Sequence, residues 1–273
     1  MSALGVSLLM PVRNGAAHLP PTLASLRKLR GVQQIVIVDD GSQDETPALL
    51  ARAAREDRRI QVIRQPPGGI VAALNRGLSA CEGDWIARLD ADDVAHPARV
   101  ERSLAVAEAR DLDVIGTGVR CFPTQRIRAG LRRYEAWQNS LWTRQQIAAQ
   151  RFVESPLVHP SVLMRRAVVE ARGGYRMAGW PEDYDLWLRL LNDGVRIGKT
   201  PEILTFWRDH SRRLTRTAAY CAAQAVAACK AHHLVRGPLA GGRPYWVAGT
   251  GPDGKRLVLA LVALGRPPSG WLD

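Results

Sequence analysis

The first hundred residues predict an α/β fold with a mainly parallel central sheet flanked by helices. Three observations carry this. Short apolar or β-branched runs alternate with segments of helical periodicity, helix-opening signals follow the runs, and two acidic clusters fall where runs end. In open α/β sheets ligands bind beyond the carboxyl ends of the strands, so those acidic clusters mark where chemistry is expected.

The elements follow in order. Val6-Ser7-Leu8-Leu9-Met10 is a short strand that Pro11 is expected to close, because proline brings no N–H to a ladder. Residues 17–29 space Leu19, Leu23, Leu26 and Leu29 as one helical face. Residues 34–38 are β-branched, read as a buried strand, and run straight into Asp39-Asp40-Gly41-Ser42. Thr46-Pro47 opens a helix, with Thr46 as its N-cap and proline in the first turn. A third strand is expected over 60–64, a helix over 69–80 and a fourth strand over 85–89, ending at Asp90-Ala91-Asp92-Asp93. Beyond it come a strand over 114–119, an Arg/Trp/Gln-rich stretch over 126–151, a helix from Pro181 to about Asn192 and a packed Ala-rich helix over 218–231. Gly237-Pro238 and Gly241-Gly242-Arg243-Pro244 form a linker to the tail.

Bulk composition narrows the function classes. The chain has 273 residues, 46% of them hydrophobic, which suits one large α/β domain or two small ones with a real core. Its net charge is +12, nearly all from arginine, with lysine only at Lys28, Lys199, Lys230 and Lys255. A basic face attracts phosphorylated substrates, an anionic membrane surface or nucleic acid. No zinc finger or aromatic RNA-binding strand accompanies the charge, so no nucleic-acid partner is expected. Cys81, Cys121, Cys221 and Cys229 show no Cys-x-x-Cys spacing, which fits a reducing cytosol better than a disulfide framework or zinc site. No signal peptide is evident. The longest apolar run, residues 257–264, is far below the roughly 20 residues that span a bilayer, so any membrane contact is expected to be peripheral.

Carboxylates at a strand end suit Mg²⁺ or Mn²⁺, which take one or two carboxylates plus substrate phosphates. The competing reading of Asp92 or Asp93 is an N-cap for the helix expected near His96-Pro97. Asp39 and Asp40 could likewise be no more than an Asx-turn shaping their loop. Glu182 and Asp183 could simply stabilise the N-terminus of their helix.

Several segments together resemble the family 2 glycosyltransferases of GT-A fold. They are Val6-Ser7-Leu8-Leu9-Met10-Pro11-Val12-Arg13-Asn14, then Ile37-Val38-Asp39-Asp40-Gly41-Ser42 with Asp44 and Thr46. Next come Ala73-Leu74-Asn75-Arg76-Gly77-Leu78 and Gly83-Asp84-Trp85-Ile86-Ala87-Arg88-Leu89-Asp90-Ala91-Asp92-Asp93. His159-Pro160-Ser161 and Pro181-Glu182-Asp183-Tyr184-Asp185-Leu186-Trp187-Leu188-Arg189 complete the set, in the family's order over residues 5–215. The resemblance implies an inverting enzyme that moves a sugar from a UDP- or dTDP-linked donor to a saccharide or lipid-linked acceptor in cell-surface polysaccharide or glycolipid synthesis. It implies a Rossmann-like donor half over 1–105, an acceptor half over 106–215 and a packing helix over 216–236. It implies donor contacts from Pro11, Arg13, Asn14, Asp39, Asp40, Asn75, Asp90 and Ala91, and metal ligation by Asp92. Asp183 is the implied general base, with Glu182 beside it, and His210 resembles the family's late metal or diphosphate ligand. A non-catalytic nucleotide-sugar-binding protein of the same fold is the alternative.

The tail, 237–273, departs from the family pattern. Gly249-Thr250-Gly251-Pro252-Asp253-Gly254 fits a dinucleotide fingerprint between a strand over 245–248 and a helix over 255–264. The acidic residue expected about 20 positions on could only be Asp273. The tail is therefore expected to be a single truncated β-α element rather than a working cofactor site.

Overall fold

The computed structural model describes residues 5–249 and 251–272. They form two compact units, the first comprising residues 5–175 with Val195–Asp209, the second Arg176–Gly194 with residues 210–272.

The first unit runs β1 (Val6–Val12), α1 (Leu19–Lys28), β2 (Gln34–Asp40), α2 (Thr46–Glu56), β3 (Ile60–Gln65), α3 (Ile70–Ala80) and β4 (Trp85–Arg88). It continues with β5 (Val94–Ala95), α4 (Arg99–Ala109), β6 (Val114–Phe122), α5 (Ala129–Ser140), α6 (Arg144–Gln150), β7 (Leu163–Arg165), α7 (Arg166–Glu170) and β8 (Ile197–Arg208). Eight strands make one sheet in the order β3-β2-β1-β4-β7-β6-β8-β5. The expectation of a mainly parallel sheet needs correcting. Strands β1 to β4 pair in parallel, as does β6 with β8, but β7 is antiparallel to both β4 and β6, and β5 is antiparallel to β8. The sheet is mixed, and the strands that mix it are two and three residues long, too short for any periodicity to announce.

Pro11 does not close β1, which runs on to Val12. The backbone of Leu9 faces β4, accepting from Leu89 N, so by strand alternation Pro11 faces the same side. The β1–β4 pairing stops at Leu9, and the missing N–H of Pro11 therefore interrupts no ladder. Thr46 is the first residue of α2 rather than its cap. Its N–H donates to Asp44 Oδ1, and its own Oγ1 is taken by the N–H of Gly15 from another loop. Leu8, Met10, Ile35, Ile37, Trp85 and Leu163 build the core between this sheet and helices such as α1.

The second unit holds α8 (Glu182–Asn192), α9 (Leu214–Thr217), α10 (Ala223–Arg236), β9 (Trp246–Ala248), α11 (Pro252–Ala263) and β10 (Gly270–Leu272). A buried polar cluster joins α8 to α10. Asp185 accepts from Arg189 Nε at 2.7 Å and Trp180 Nε1 at 3.1 Å, and lies 2.9 Å from His233 Nε2. The tail reaches one strand beyond the expected β-α element, because Gly270–Leu272 pairs in parallel with β9. Gly249 turns at φ 81° before α11, as the fingerprint requires. Thr250 and Asp273, on which the rest of that reading turned, lie outside the described residues.

Burial alone would raise the Asp185 carboxyl, but the bonds from His233 and Arg189 overcome it and bring it from 3.8 down to about 2. A carboxylate depressed on folding adds stability that is fully present above its unfolded value and is lost as pH falls through its folded value. Asp185→Asn should therefore lower stability by about 2 kcal/mol at pH 7 in urea unfolding, with the gap closing between about pH 4 and pH 2. A gap that stays constant with pH would show that the charge of Asp185 contributes nothing.

Candidate functional site

Two loops at the carboxyl ends of β1 and β2 are stitched together before any ligand is considered. Asn14 takes a left-handed conformation (φ 49°), which asparagine tolerates better than most residues. Its N–H donates to Ser42 Oγ at 2.9 Å, and its Oδ1 accepts from Gln43 N at 2.9 Å. Gly15 N reaches Thr46 Oγ1, and Ala16 N reaches Asp44 Oδ2. Four backbone or side-chain groups of one loop thus meet the other, and Arg13 and Asn14 stand exposed at its rim.

Asp39 and Asp40 sit in this frame, buried at the end of β2. Asp39 Oδ1 accepts from Ser42 N at 2.9 Å, and its Oδ2 lies 3.7 Å from Arg64 Nε. Asp40 accepts from Gln65 Nε2, Gly68 N and Gly69 N at 2.7–2.9 Å, with exposed Arg13 at 3.9 Å. Both carboxylates therefore shape their loops. Gly41, directly after Asp40, has φ 70°, and a Cβ there would meet Pro67 at 2.6 Å, so only glycine fits this close approach.

The acidic turn after β4 is held by arginines from three places. Arg88, inside the sheet with its side chain 2% exposed, puts Nη2 2.6 Å from Asp90 Oδ1. Arg99, the first residue of α4, donates through Nη2 to the carbonyls of Arg88 and Val162 at 2.5 and 3.1 Å. Burial and then the neighbouring Arg88 charge bring Arg99 down to about 9, against an upward pull from Asp93, so it remains a cation at neutral pH. Arg208, at the end of β8, donates Nε to Asp92 O and its backbone N–H to Asp93 Oδ1, both at 2.7 Å. Its guanidinium also lies over the Phe122 ring, 4.4 Å from the centroid. From the other side Thr22 Oγ1 donates to Ala91 O at 3.0 Å.

Asp93 is thus no helix cap. Ala98 occupies the cap position of α4, and no side chain bonds there. Asp93 instead ties the turn to β8. The oxygens of Asp90, Asp92 and Asp93 lie within 4.8 Å of one another, an all-carboxylate set that suits Mg²⁺ or Mn²⁺ rather than a thiophilic ion. Asp93 is fully buried on Arg208, whereas Asp90 and Asp92 are half-buried.

Asn75, expected as a donor contact, fastens α3 to the backbone of Tyr175. Its Nδ2 donates to Tyr175 O and its Oδ1 accepts from Tyr175 N, both at 2.9 Å, so both ends of the amide are engaged by one backbone residue. Tyr175 then sets its hydroxyl 2.9 Å from His159 Nε2, which gives His159 a structural partner. Burial, followed by the Arg88 charge, holds His159 well below the usual imidazole range, so it is neutral.

In the second unit, Glu182 and Asp183 open α8, where carboxylates complement the helix dipole. Asp183 Oδ1 accepts from Tyr184 N at 2.7 Å. Glu182 is buried and Asp183 half-buried. Burial, and then the charges of Glu182 and Asp183, push the Cys221 thiol up to about 12, so Cys221 stays protonated close to these acids. His210 begins the segment that follows β8. Asp185, Cys229 and His233 also bring ligand atoms within 4.8 Å of one another. There Arg189 already neutralises Asp185 and burial pushes the Cys229 thiol up, so the cluster is a packing device.

Arg88, Arg99 and Arg208 were missed by sequence reasoning. Arg88 did leave a signal, a charge inside the apolar strand Trp85-Ile86-Ala87-Arg88-Leu89 two residues before Asp90. Arg208 stands two residues before His210 in an Arg-x-His pattern, where only the histidine was given a role.

Over residues 7–173 the chain matches the family described as Glycosyl transferase family 2. The O-antigen biosynthesis glycosyltransferase WbnJ of Escherichia coli is 27% identical over 186 residues, which cover 67% of this chain and 70% of WbnJ. The crystal structure of S. aureus TarS 1–349 in complex with UDP-GlcNAc is similar over 94% of this chain and 71% of that one, with a TM-score of 0.70 at 16% identity. Mannosyltransferase PcManGT from Pyrobaculum calidifontis, in complex with GDP-Man and Mn²⁺, is similar over 95% and 69%, with a TM-score of 0.60 at 17% identity. At these identities the two solved structures show a shared fold.

Arg88→Met keeps the length of the side chain but removes the donor facing Asp90. It should lower stability by about 1–3 kcal/mol in urea unfolding, because the half-buried Asp90 carboxylate loses its charged partner. Asp90→Asn should cost at least as much, because it leaves the buried Arg88 guanidinium without its countercharge. Wild-type stability in Arg88→Met would show that the ion pair does not hold the turn.

Proposed function

Because the chain belongs to the family 2 glycosyltransferases, we propose that it moves a sugar, with inversion, from a nucleoside-diphosphate donor to an acceptor hydroxyl. The observation that carries this reading is the Asp90–Asp93 turn. It stands at the carboxyl end of β4, adjacent in the sheet to β1, whose terminal loop is stitched to that of β2. That is where an open α/β sheet receives a nucleotide.

Within the proposal, Pro11, Arg13, Asn14, Asp39 and Asp40 border the nucleoside. Asp39 accepts from a base N–H or sugar hydroxyl through the lone pairs its loop bonds leave over. Asp90, anchored by Arg88, faces the ribose, and Ala91 lines the turn. Asp92, assisted by Asp90 and His210, would hold Mg²⁺ or Mn²⁺. When bound, such an ion neutralises charge developing on the departing diphosphate. Asp183 takes the proton from the acceptor hydroxyl as general base, and Glu182 beside it sustains the negative field. UDP or dTDP is the proposed donor nucleotide. WbnJ's part in O-antigen biosynthesis favours a cell-surface polysaccharide or its lipid-linked precursor as the product.

Calorimetry with a panel of nucleotide-sugars, with and without Mn²⁺, separates the roles. Asp92→Asn should abolish the Mn²⁺-dependent part of donor binding. Asp183→Asn should leave donor binding within about twofold of wild type and slow transfer by about 10²–10⁴-fold. Unchanged Mn²⁺-dependent binding by Asp92→Asn would overturn the metal assignment. Wild-type binding without transfer to any acceptor would favour a non-catalytic nucleotide-sugar-binding protein.

A further inference from the structure

Apolar exposure is concentrated at one end of the chain. Ten large hydrophobic side chains are exposed among the described residues, and six of them (Trp246, Leu259, Val262, Leu264, Trp271 and Leu272) belong to the β9–α11–β10 tail or the turn after α11. Leu259 is 69% exposed and Trp246 59%. Isolated exposed apolar residues need no explanation, but a cluster of this kind marks an interaction surface.

The geometry of α11 divides its residues cleanly. Val258 and Leu261 are buried, and the helix packs against α10. Lys255, Leu259 and Val262 stand at i, i+4 and i+7 on the outward face, with Arg256 beside Lys255. The outward face is therefore basic near its start and apolar toward its end. The two strands add to the exposure. Among the described residues β9 and β10 pair only with each other, in parallel. Parallel strands are ordinarily buried on both faces, and a two-stranded pair is marginal in water, so this element is suited to being covered.

Charge identifies the cover. The tail and its linker carry Arg243, Lys255, Arg256 and Arg266 against the single described carboxylate Asp253. A second copy would set this cationic surface, on a chain of net charge +12, against its own like. An anionic bilayer complements both features. Outward leucine and valine enter the boundary with the acyl chains, lysine and arginine meet the phosphates, and tryptophan rings settle at headgroup level. Among the described residues no helix is long and apolar enough to cross a membrane.

We propose that the β9–α11–β10 tail docks the protein peripherally on an anionic lipid bilayer through Trp246, Leu259, Val262 and Trp271, with Arg243 and Lys255 on the headgroups. This reading is independent of the catalytic assignments. The test is co-sedimentation of the full chain with vesicles of phosphatidylglycerol and phosphatidylcholine, compared with vesicles of phosphatidylcholine alone. Binding should favour the anionic vesicles at least roughly tenfold and weaken steeply as salt rises from about 0.05 to 0.5 M. Leu259→Ser/Val262→Ser and Lys255→Glu/Arg256→Glu should each reduce partitioning roughly tenfold or more while keeping the wild-type melting temperature. Should either variant fail to fold, quenching by brominated phosphatidylglycerol decides. The quenched fluorescence should be present in wild type and largely missing from Trp246→Phe/Trp271→Phe. Equal binding to both vesicle types, binding unaffected by either double substitution, or quenching that persists without the two tryptophans would overturn the proposal. So would a concentration-dependent dimer, without vesicle binding, that Leu259→Ser/Val262→Ser abolishes.

Discussion

Arg88 is a charge inside a sheet. Its neighbours along β4, Trp85, Ile86 and Ala87, are fully buried, and its own side chain is 2% exposed. A guanidinium withdrawn from water to this degree is tolerated only where oxygen acceptors surround it. Asp90 supplies the charged one. The same demand repeats one layer away, where Arg99 is buried against the carbonyls of Arg88 and Val162. The conformation of the acidic turn is in this sense a consequence of burying arginine. A carboxylate that neutralises Arg88 cannot swing away from the end of β4, and the residues following it inherit that position. Arg208 closes the turn from the far side of the sheet, through Asp92 O and Asp93 Oδ1. Asp92 is half-buried, and Arg208 reaches it through its backbone carbonyl.

The polar residues at the carboxyl ends of β1 and β2 follow a similar pattern. Asn14, Ser42, Asp44 and Thr46 join two loops that carry no regular structure of their own. Asp40 gathers two successive backbone N–H groups at Gly68 and Gly69, which fixes the entry to α3. Asn75 fastens α3 to Tyr175, about a hundred residues on. Such loops would otherwise be free to move and would have to be ordered by a ligand at the expense of affinity. Bonds already made in the protein leave less to be ordered when any ligand binds beside these loops.

How much was legible in the sequence differs from residue to residue. The alternation of β1 to β4 with α1 to α3 could be read directly, because β-branched runs and leucine spacing are local signals. The acidic turn and the pair Glu182-Asp183 stood out for the same reason, with composition and position both visible in a few consecutive residues. What could not be read was partnership. Arg208 and Asp93 are 115 positions apart, and nothing local marks them as neighbours. Asn75 stood out through its motif, but the backbone that holds its amide comes 100 positions later. Thr46 carried every local sign of a cap and became instead an acceptor for Gly15.

By itself the sequence determined the class of fold, the family, and the set of acids from which a donor and metal site could be built, since each depends on short-range pattern. Only the tertiary structure decided that the sheet is mixed, that Asp93 ties strands rather than capping a helix, and that the tail ends in a second strand. It also decided which acid is anchored by a buried cation. The physical reason is common to all of these. Hydrogen bonds and ion pairs between distant segments are set by which groups lose water together, and that is fixed only once the strands have found their order.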